Sequence, residues 1–323
     1  MSVDLDFFDN APLVHIGYPK SLSKWLQKNL FIPEMGFIKC LNPELVHELL
    51  VSKKPFQFDC QAIQGKVNFA IARANKILPP PQAIQLVPVV TSEALVGNMF
   101  CGGFDAELLA QRLVHSFPQA KILIVVREQR QMIRSLFSTA VAWGIPHKIE
   151  DFLSPRDENI APQFSCEYLF YDALVSYYQE IFSKDRVVVV PYELFKSDPA
   201  AFVGKIMQLY PTTYNSVNFS NLPFNAVVNQ GQTAIETNAQ RFLNSCFLRT
   251  PFNYSGWFND RDSWRLVRNT WRAPLSKTNY LVSCLETRLA KKIERLTMGR
   301  FSDSNKRLSQ LTGMDFSAFG YQT

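Results

Sequence analysis

Residues 13–31 read LVHIGYPKSLSKWLQKNLF, and no other stretch narrows the fold as much. Leu13 to Tyr18 is a short apolar run of the kind that forms a buried strand. From Ser21 onward, Leu22, Trp25, Leu26 and Leu30 recur at helical spacing. Ser21 stands where an N-cap belongs. A strand therefore meets a helix N-terminus across Gly17, Tyr18, Pro19 and Lys20. Such a junction attracts anions, because first-turn amides lack an intrahelical acceptor and the helix dipole adds partial positive charge there. Lys20, Ser21, Ser23 and Lys24 add ammonium and hydroxyl groups to the same turn, which suits phosphate. A Walker A loop is ruled out, since only Gly17 is present and that motif needs two glycines before its Lys-Ser/Thr pair.

Strand and helix signals keep alternating downstream. Asn42 and Pro43 begin a short helix, and 53–78, with Lys53, Lys54, Phe56 and Phe58, reads as a connecting region closed by Pro79 to Pro81. Ile84 to Val90 is a strand interrupted by Pro88 that runs into Thr91-Ser92-Glu93, and a Gly-rich loop spans 97–103. Asp105 caps a helix whose apolar face is Leu108, Leu109, Leu113 and Phe117. Lys121 to Val126 is the most buried-looking strand. It ends at Arg127 and opens a helix from Glu128 to Val141. A helix over 166–182, a strand over 186–190 and a helix begun by Asp198-Pro199 follow. The pattern predicts an α/β fold with a central parallel sheet in a core of about 11–210, followed by a C-terminal helical and loop cap of about 211–323, all one domain. Helices are expected over 239–248, 279–296 and 305–311. Ligands in such sheets sit beyond the carboxyl ends of the strands, where Lys20, Glu93, Arg127 and Tyr192 all fall.

Composition narrows the partners. The formal net charge is +6, yet Lys and Arg are scattered, so nucleic acid is not an expected partner. The six cysteines include no Cys-x-x-Cys pair, and with four scattered histidines no metal site is expected. The N-terminus lacks a basic segment followed by an apolar one, and no run approaches the length of a transmembrane helix. A reduced, cytoplasmic protein is the expectation, which makes the glycosylation-like triplets at Asn218 and Asn253 chance matches.

The loop around Lys20 resembles the 5′-phosphosulfate-binding loop of sulfotransferases that use 3′-phosphoadenosine 5′-phosphosulfate (PAPS), commonly written YPKSGTTWLQ. Tyr18, Pro19, Lys20, Ser21, Trp25, Leu26 and Gln27 match as they stand, and Ser23 replaces a threonine. Leu22 replaces the family glycine and Lys24 the second threonine. Arg127 and Ser135 resemble the family's 3′-phosphate-binding pair, in the same order and spacing. Tyr192, in Pro191-Tyr192-Glu193-Leu194, is similar to a tyrosine the family places near the adenine. The ending from Ser304 to Tyr321 looks like that of bacterial and heparan-type carbohydrate sulfotransferases.

The resemblance implies a P-loop NTPase-like three-layer α/β/α fold and in-line sulfuryl transfer from PAPS to an acceptor hydroxyl, on a carbohydrate or other small molecule, without a metal. It implies that Lys20 stabilises charge on the departing phosphate, that Ser21, Leu22, Ser23 and Lys24 hold the 5′ end, that Trp25 and Tyr192 lie at the adenine, and that Glu93 is the general base. Trp25 reads equally as core. Glu48 and His47 are alternates for the base, His15 reads as a core histidine, and His115 and His147 have no constellation around them. Two competing functions stay open: a degenerate protein that binds nucleotide or sulfated ligand without turnover, and a nucleotide-dependent phosphotransferase. Oligomeric state is not legible.

Overall fold

The computed structural model describes residues 11–77, 86–154, 163–211, 213, 218–219, 222–224, 232–247, 249 and 279–323. Five strands form one parallel sheet: β1 (Leu13–His15), β2 (Phe37–Lys39), β3 (Val87–Thr91), β4 (Lys121–Val126) and β5 (Val187–Pro191), in the order β2-β3-β1-β4-β5. Because side chains alternate across a strand, the β1 and β4 residues divide between two cores. Val14, Ile16, Ile122, Ile124 and Val126 face one side; Leu13, Leu123 and Val125 face the other. Helices cover both faces, giving the three-layer α/β/α arrangement expected of a fully buried parallel sheet.

The first core receives α4 (Ala106–Ser116), α5 (Gln129–Ala142) and α7 (Tyr171–Phe182). The second receives α1 (Ser23–Trp25, continued by a π-helical turn over Leu26–Leu30) and α9 (Pro199–Met207). Every residue expected on the apolar face of α5, namely Met132, Ile133, Leu136, Phe137 and Ala140, is buried. Between β5 and α9 lies α8 (Tyr192–Ser197).

Several expectations are corrected. The segment 53–78 is not a connector throughout: Cys60–Ile77 is an 18-residue helix, α3. Ile63 and Val67 are buried and Ala70 and Ile71 pack on the core, but Gly65 and the exposed Phe69 obscure that stripe. The edge strand β2, short helix α2 (Pro43–Val46) running into a π turn over His47–Val51, and α6 (Ile149–Leu153) complete the core layers, β2 and α6 being absent from the sequence reading. Asp105 does not cap α4; its carboxylate accepts from Asn98 N at 2.7 Å, across the glycine-rich loop. Leu108 is exposed, and the buried face of α4 is Leu109, Ala110, Arg112 and Leu113. Pro88 sits inside β3 without breaking it. Val87 and Val89 bond to the β2 side, so the nitrogen of Pro88 falls on the β1 side, one residue before the ladder begins at the Leu13–Val89 pair.

At the C-terminus, Ala234–Phe247 (α10) and Asn279–Leu296 (α11) pack on α5, and Ser302–Thr312 (α12) packs on α7. Arg134 joins α5 to Glu286 of α11 at 2.7 Å, and Arg307 joins α12 to Asp172 of α7 at 2.6 Å. Ile84, Asn253 and most of 215–260 lie outside the described residues. Among the described residues, no helix is long and apolar enough to cross a membrane.

Candidate active site

Strand adjacency assembles the site. Reading across β3, β1, β4 and β5, the segments just past the strand ends carry Glu93, the Lys20 loop, Arg127 and Tyr192 in that order. Four segments far apart in sequence thus lie side by side.

The loop turns by two left-handed residues, Lys20 at φ 65° and Leu22 at φ 72°. Leu22 therefore occupies the conformation for which the related loops carry glycine, with its side chain packed on the second core. A non-glycine residue there costs on the order of 1 kcal/mol. Leu22→Gly should consequently be about 1 kcal/mol more stable than Leu22→Ala, which keeps the strain and loses the packing. Urea unfolding of the two variants measures the difference; equal midpoints would mean the loop relaxes. If the loop is a working variant, Leu22→Gly leaves turnover unchanged.

Ser21 is not the N-cap. Its N–H donates to Tyr18 O at 3.2 Å, and its hydroxyl donates to the same carbonyl. Both of its donors are committed to closing the turn, and Leu22 precedes the helix with no side-chain cap. What the loop presents is Lys20 and Lys24, both exposed, and Ser23, whose buried Oγ has no hydrogen-bonding partner. The loop is seated by Tyr18, which donates to Tyr168 O at 3.1 Å and meets the Tyr168 and Tyr171 rings edge-on.

Arg127 bridges the two halves of the site. One guanidinium nitrogen donates to Lys20 O at 3.3 Å and the group lies 5.0 Å from the Tyr192 ring centroid, while Nε is buried without a partner. Its carbonyl accepts from Tyr171 Oη at 2.7 Å. Tyr192 carries a second cation, Lys196, 4.8 Å from its centroid. Ser135 lies half-buried on α5 on a strip with Gln131 and Ser138. The C-terminus fastens the start of α5: Tyr321 donates to Glu193 at 3.2 Å, Glu193 accepts from Glu128 N at 3.2 Å, and Gln129 donates to Asn305 at 2.6 Å. None of these long-range partners carries a local sequence signal.

Glu93 is the first residue of a short 3₁₀ turn that Ser92 caps, and its own carboxyl faces the loop, beside the Lys20 backbone N–H. It lies beside Lys20, Ser23 and Lys24 without a geometrically complete hydrogen bond to the Ser23 hydroxyl. Burial pushes its pKa up, against the pull of the two lysines. The alternates are elsewhere: His47 and Glu48 are exposed on the π turn, and His115 and His147 are exposed on the surface.

Trp25 departs from the adenine role. Its indole is buried, donates to Pro223 O at 3.1 Å, and meets Phe195 edge-on at 4.7 Å. Phe224 stacks near-parallel over it at 5.9 Å, so the indole is packed as a core residue.

Residues 104–249 match a family model described as the sulfotransferase domain, a span that contains Arg127, Ser135 and Tyr192 but begins after Lys20 and Glu93. Among solved structures, a sulfotransferase from Alicyclobacillus acidocaldarius matches at 16% identity and TM-score 0.53, covering 96% of this chain and 99% of that one. The sulfotransferase domain from the curacin biosynthetic pathway matches at 12% identity and TM-score 0.33, covering 88% of this chain and 98% of that one. Mouse sulfotransferase SULT7A1, complexed with PAP, matches at 14% identity and TM-score 0.33, covering 86% and 88%. No curated protein matches the chain significantly. The first of these structures shows that the fold extends over nearly the whole chain, and residues 104–249 match the sulfotransferase domain.

Proposed function

We propose that the protein moves a sulfuryl group from PAPS to an acceptor hydroxyl. The family match and fold support sulfuryl transfer in general terms. The donor reading is carried by one observation: the sheet order sets an anion loop next to a second anion-binding side chain, Arg127, which touches that loop directly. The residues fit a doubly anionic nucleotide. Ser23 Oγ and Arg127 Nε are buried polar atoms with no protein partner, and Lys20 and Lys24 stand exposed beside them.

In this reading Lys20 stabilises the negative charge that grows on the departing phosphate, and Ser23, Lys24 and the first-turn amides hold the 5′ end. Arg127, braced by Tyr171 and Tyr192, takes the 3′-phosphate with Ser135. Glu93 removes the acceptor proton. Carbohydrate or another small molecule is the proposed acceptor class, on the likeness of the ending, and an acceptor screen that sulfates only phenols or sterols would overturn the carbohydrate preference. The six free thiols support a reducing, cytoplasmic setting.

Calorimetric titration with adenosine 3′,5′-bisphosphate, 5′-AMP and ATP tests the donor site. Selective binding of the bisphosphate is expected, and Arg127→Ala should weaken it roughly 10- to 100-fold, the worth of a charge-assisted contact of about 1.5–3 kcal/mol. Equal affinity for ATP would remove the two-phosphate reading.

A further inference from the structure

Beneath the loop lies a buried polar chain that the proposed reaction does not use. His15 is on β1, on the face it shares with Leu13, and is fully buried. Burial lowers its pKa to about 3, so the ring is neutral. His15 Nδ1 lies 2.8 Å from Thr91 Oγ1, which also receives a hydrogen bond from Gln27 Nε2 at 3.2 Å. An amide nitrogen only donates, so the Thr91 oxygen accepts from Gln27. The hydroxyl's own proton then has His15 Nδ1 as its acceptor, no other acceptor for it occurring among the described residues. A neutral ring that accepts at Nδ1 carries its hydrogen on Nε2.

That Nε2 is buried with no partner, and so is Ser23 Oγ. Both converge on Gly17: a Cβ built there would lie 2.6 Å from His15 Nε2 and 3.0 Å from Ser23 Oγ. Only glycine tolerates this close approach, because the His15 ring and the Ser23 hydroxyl already fill the place a Cβ would take. On Ser23's other side is Glu93.

We propose that His15 is a positioning residue, whose Nε2–H, directed by Gln27 and Thr91, donates to Ser23 Oγ across the face of Gly17. The Ser23 oxygen is thereby supplied with a hydrogen bond from below. Its own proton is left for the acceptors on the other side, the Glu93 carboxyl or a bound anion. The inference rests on the sulfuryl-transfer reading only for the identity of that anion.

Nitrogen-15 NMR of imidazole-labelled protein reads the tautomer, and loss of one signal in His15→Gln assigns it among the four histidines. The expected result near neutral pH is an Nε2–H ring whose signal moves when inorganic sulfate or adenosine 3′,5′-bisphosphate is added, and does not move in Ser23→Ala. Thr91→Val, of nearly the same shape, should mix the tautomers and lower kcat about tenfold with donor KM held within about twofold. His15→Gln, which retains a donor, should keep more of kcat than His15→Phe. An Nδ1–H or protonated ring would overturn the proposal, as would wild-type kcat in Thr91→Val. A signal that answers to sulfate and ignores the bisphosphate would keep the His15–Ser23 link and overturn the nucleotide-donor reading instead.

Discussion

Glu93→Gln is expected to lower kcat by roughly 10²–10⁴-fold while leaving bisphosphate affinity nearly intact, the range for removing a general base. The substitution keeps the size of the side chain, removes the ability to take a proton, and removes the negative charge beside Lys20 and Lys24. The pH profile adds a second test. Burial raises the folded pKa of Glu93 above its ordinary 4.5, so the base is lost to protonation at a higher pH than an exposed glutamate would show. Wild-type kcat/KM should fall on the acid side through that raised value, and the Gln variant should be flat there. The stability effect has the opposite sense. With the folded pKa raised, the folded state binds more protons than the unfolded state between 4.5 and the folded value, so this group's contribution to stability declines as pH rises through that window. An unchanged rate in Glu93→Gln would return the base to His47 or Glu48, both exposed on the α2 side of the molecule.

Lys20→Ala is expected to lower kcat by about 10²–10³-fold, the scale seen when one preorganised donor to a developing anion is removed. The loop should survive the change. Arg127 bonds to the Lys20 carbonyl, not to its side chain, and alanine inherits the same left-handed backbone at φ 65°. Bisphosphate binding, which has Ser23, Lys24 and Arg127 to rely on, should weaken far less than turnover does. Single-turnover rates at saturating PAPS, alongside calorimetry, separate the two. If affinity falls as much as rate, Lys20 binds the ground state and transition state alike, and its proposed role is wrong.

The residues that bring charge to the site were legible because residue type and position agree. Lys20 and Lys24 sit at a strand-to-helix turn, and Arg127 and Glu93 sit at strand ends, where an α/β sheet places its ligands. Local pattern misled where burial depends on a distant partner. Ser21 has the chemistry of a cap, but the turn at Tyr18 offers its donors a nearer acceptor. Trp25 has the face of a stacking residue, but Phe224 and Phe195, some 170 and more positions away, cover it. Leu22 marks a departure from the related loops in the sequence, yet only the backbone shows the turn kept in the left-handed region with leucine in it.

Sequence alone determined the class of fold and the cationic character of the loop after the first strand. Short continuous apolar runs alternating with stripes of helical period dictate parallel strands joined by helices, and a lysine-rich helix start attracts negative charge whatever surrounds it. Tertiary structure decided which groups stand together and which are free. The order β2-β3-β1-β4-β5 makes neighbours of Glu93, Lys20, Arg127 and Tyr192, and no window along the chain encodes that order. Whether a hydroxyl binds substrate or closes a turn depends on where the nearest acceptor lies once the chain has packed. By that criterion Ser21 is occupied, while Ser23, packed against Gly17 with Glu93 beside it, has a buried hydroxyl without a geometrically complete bond.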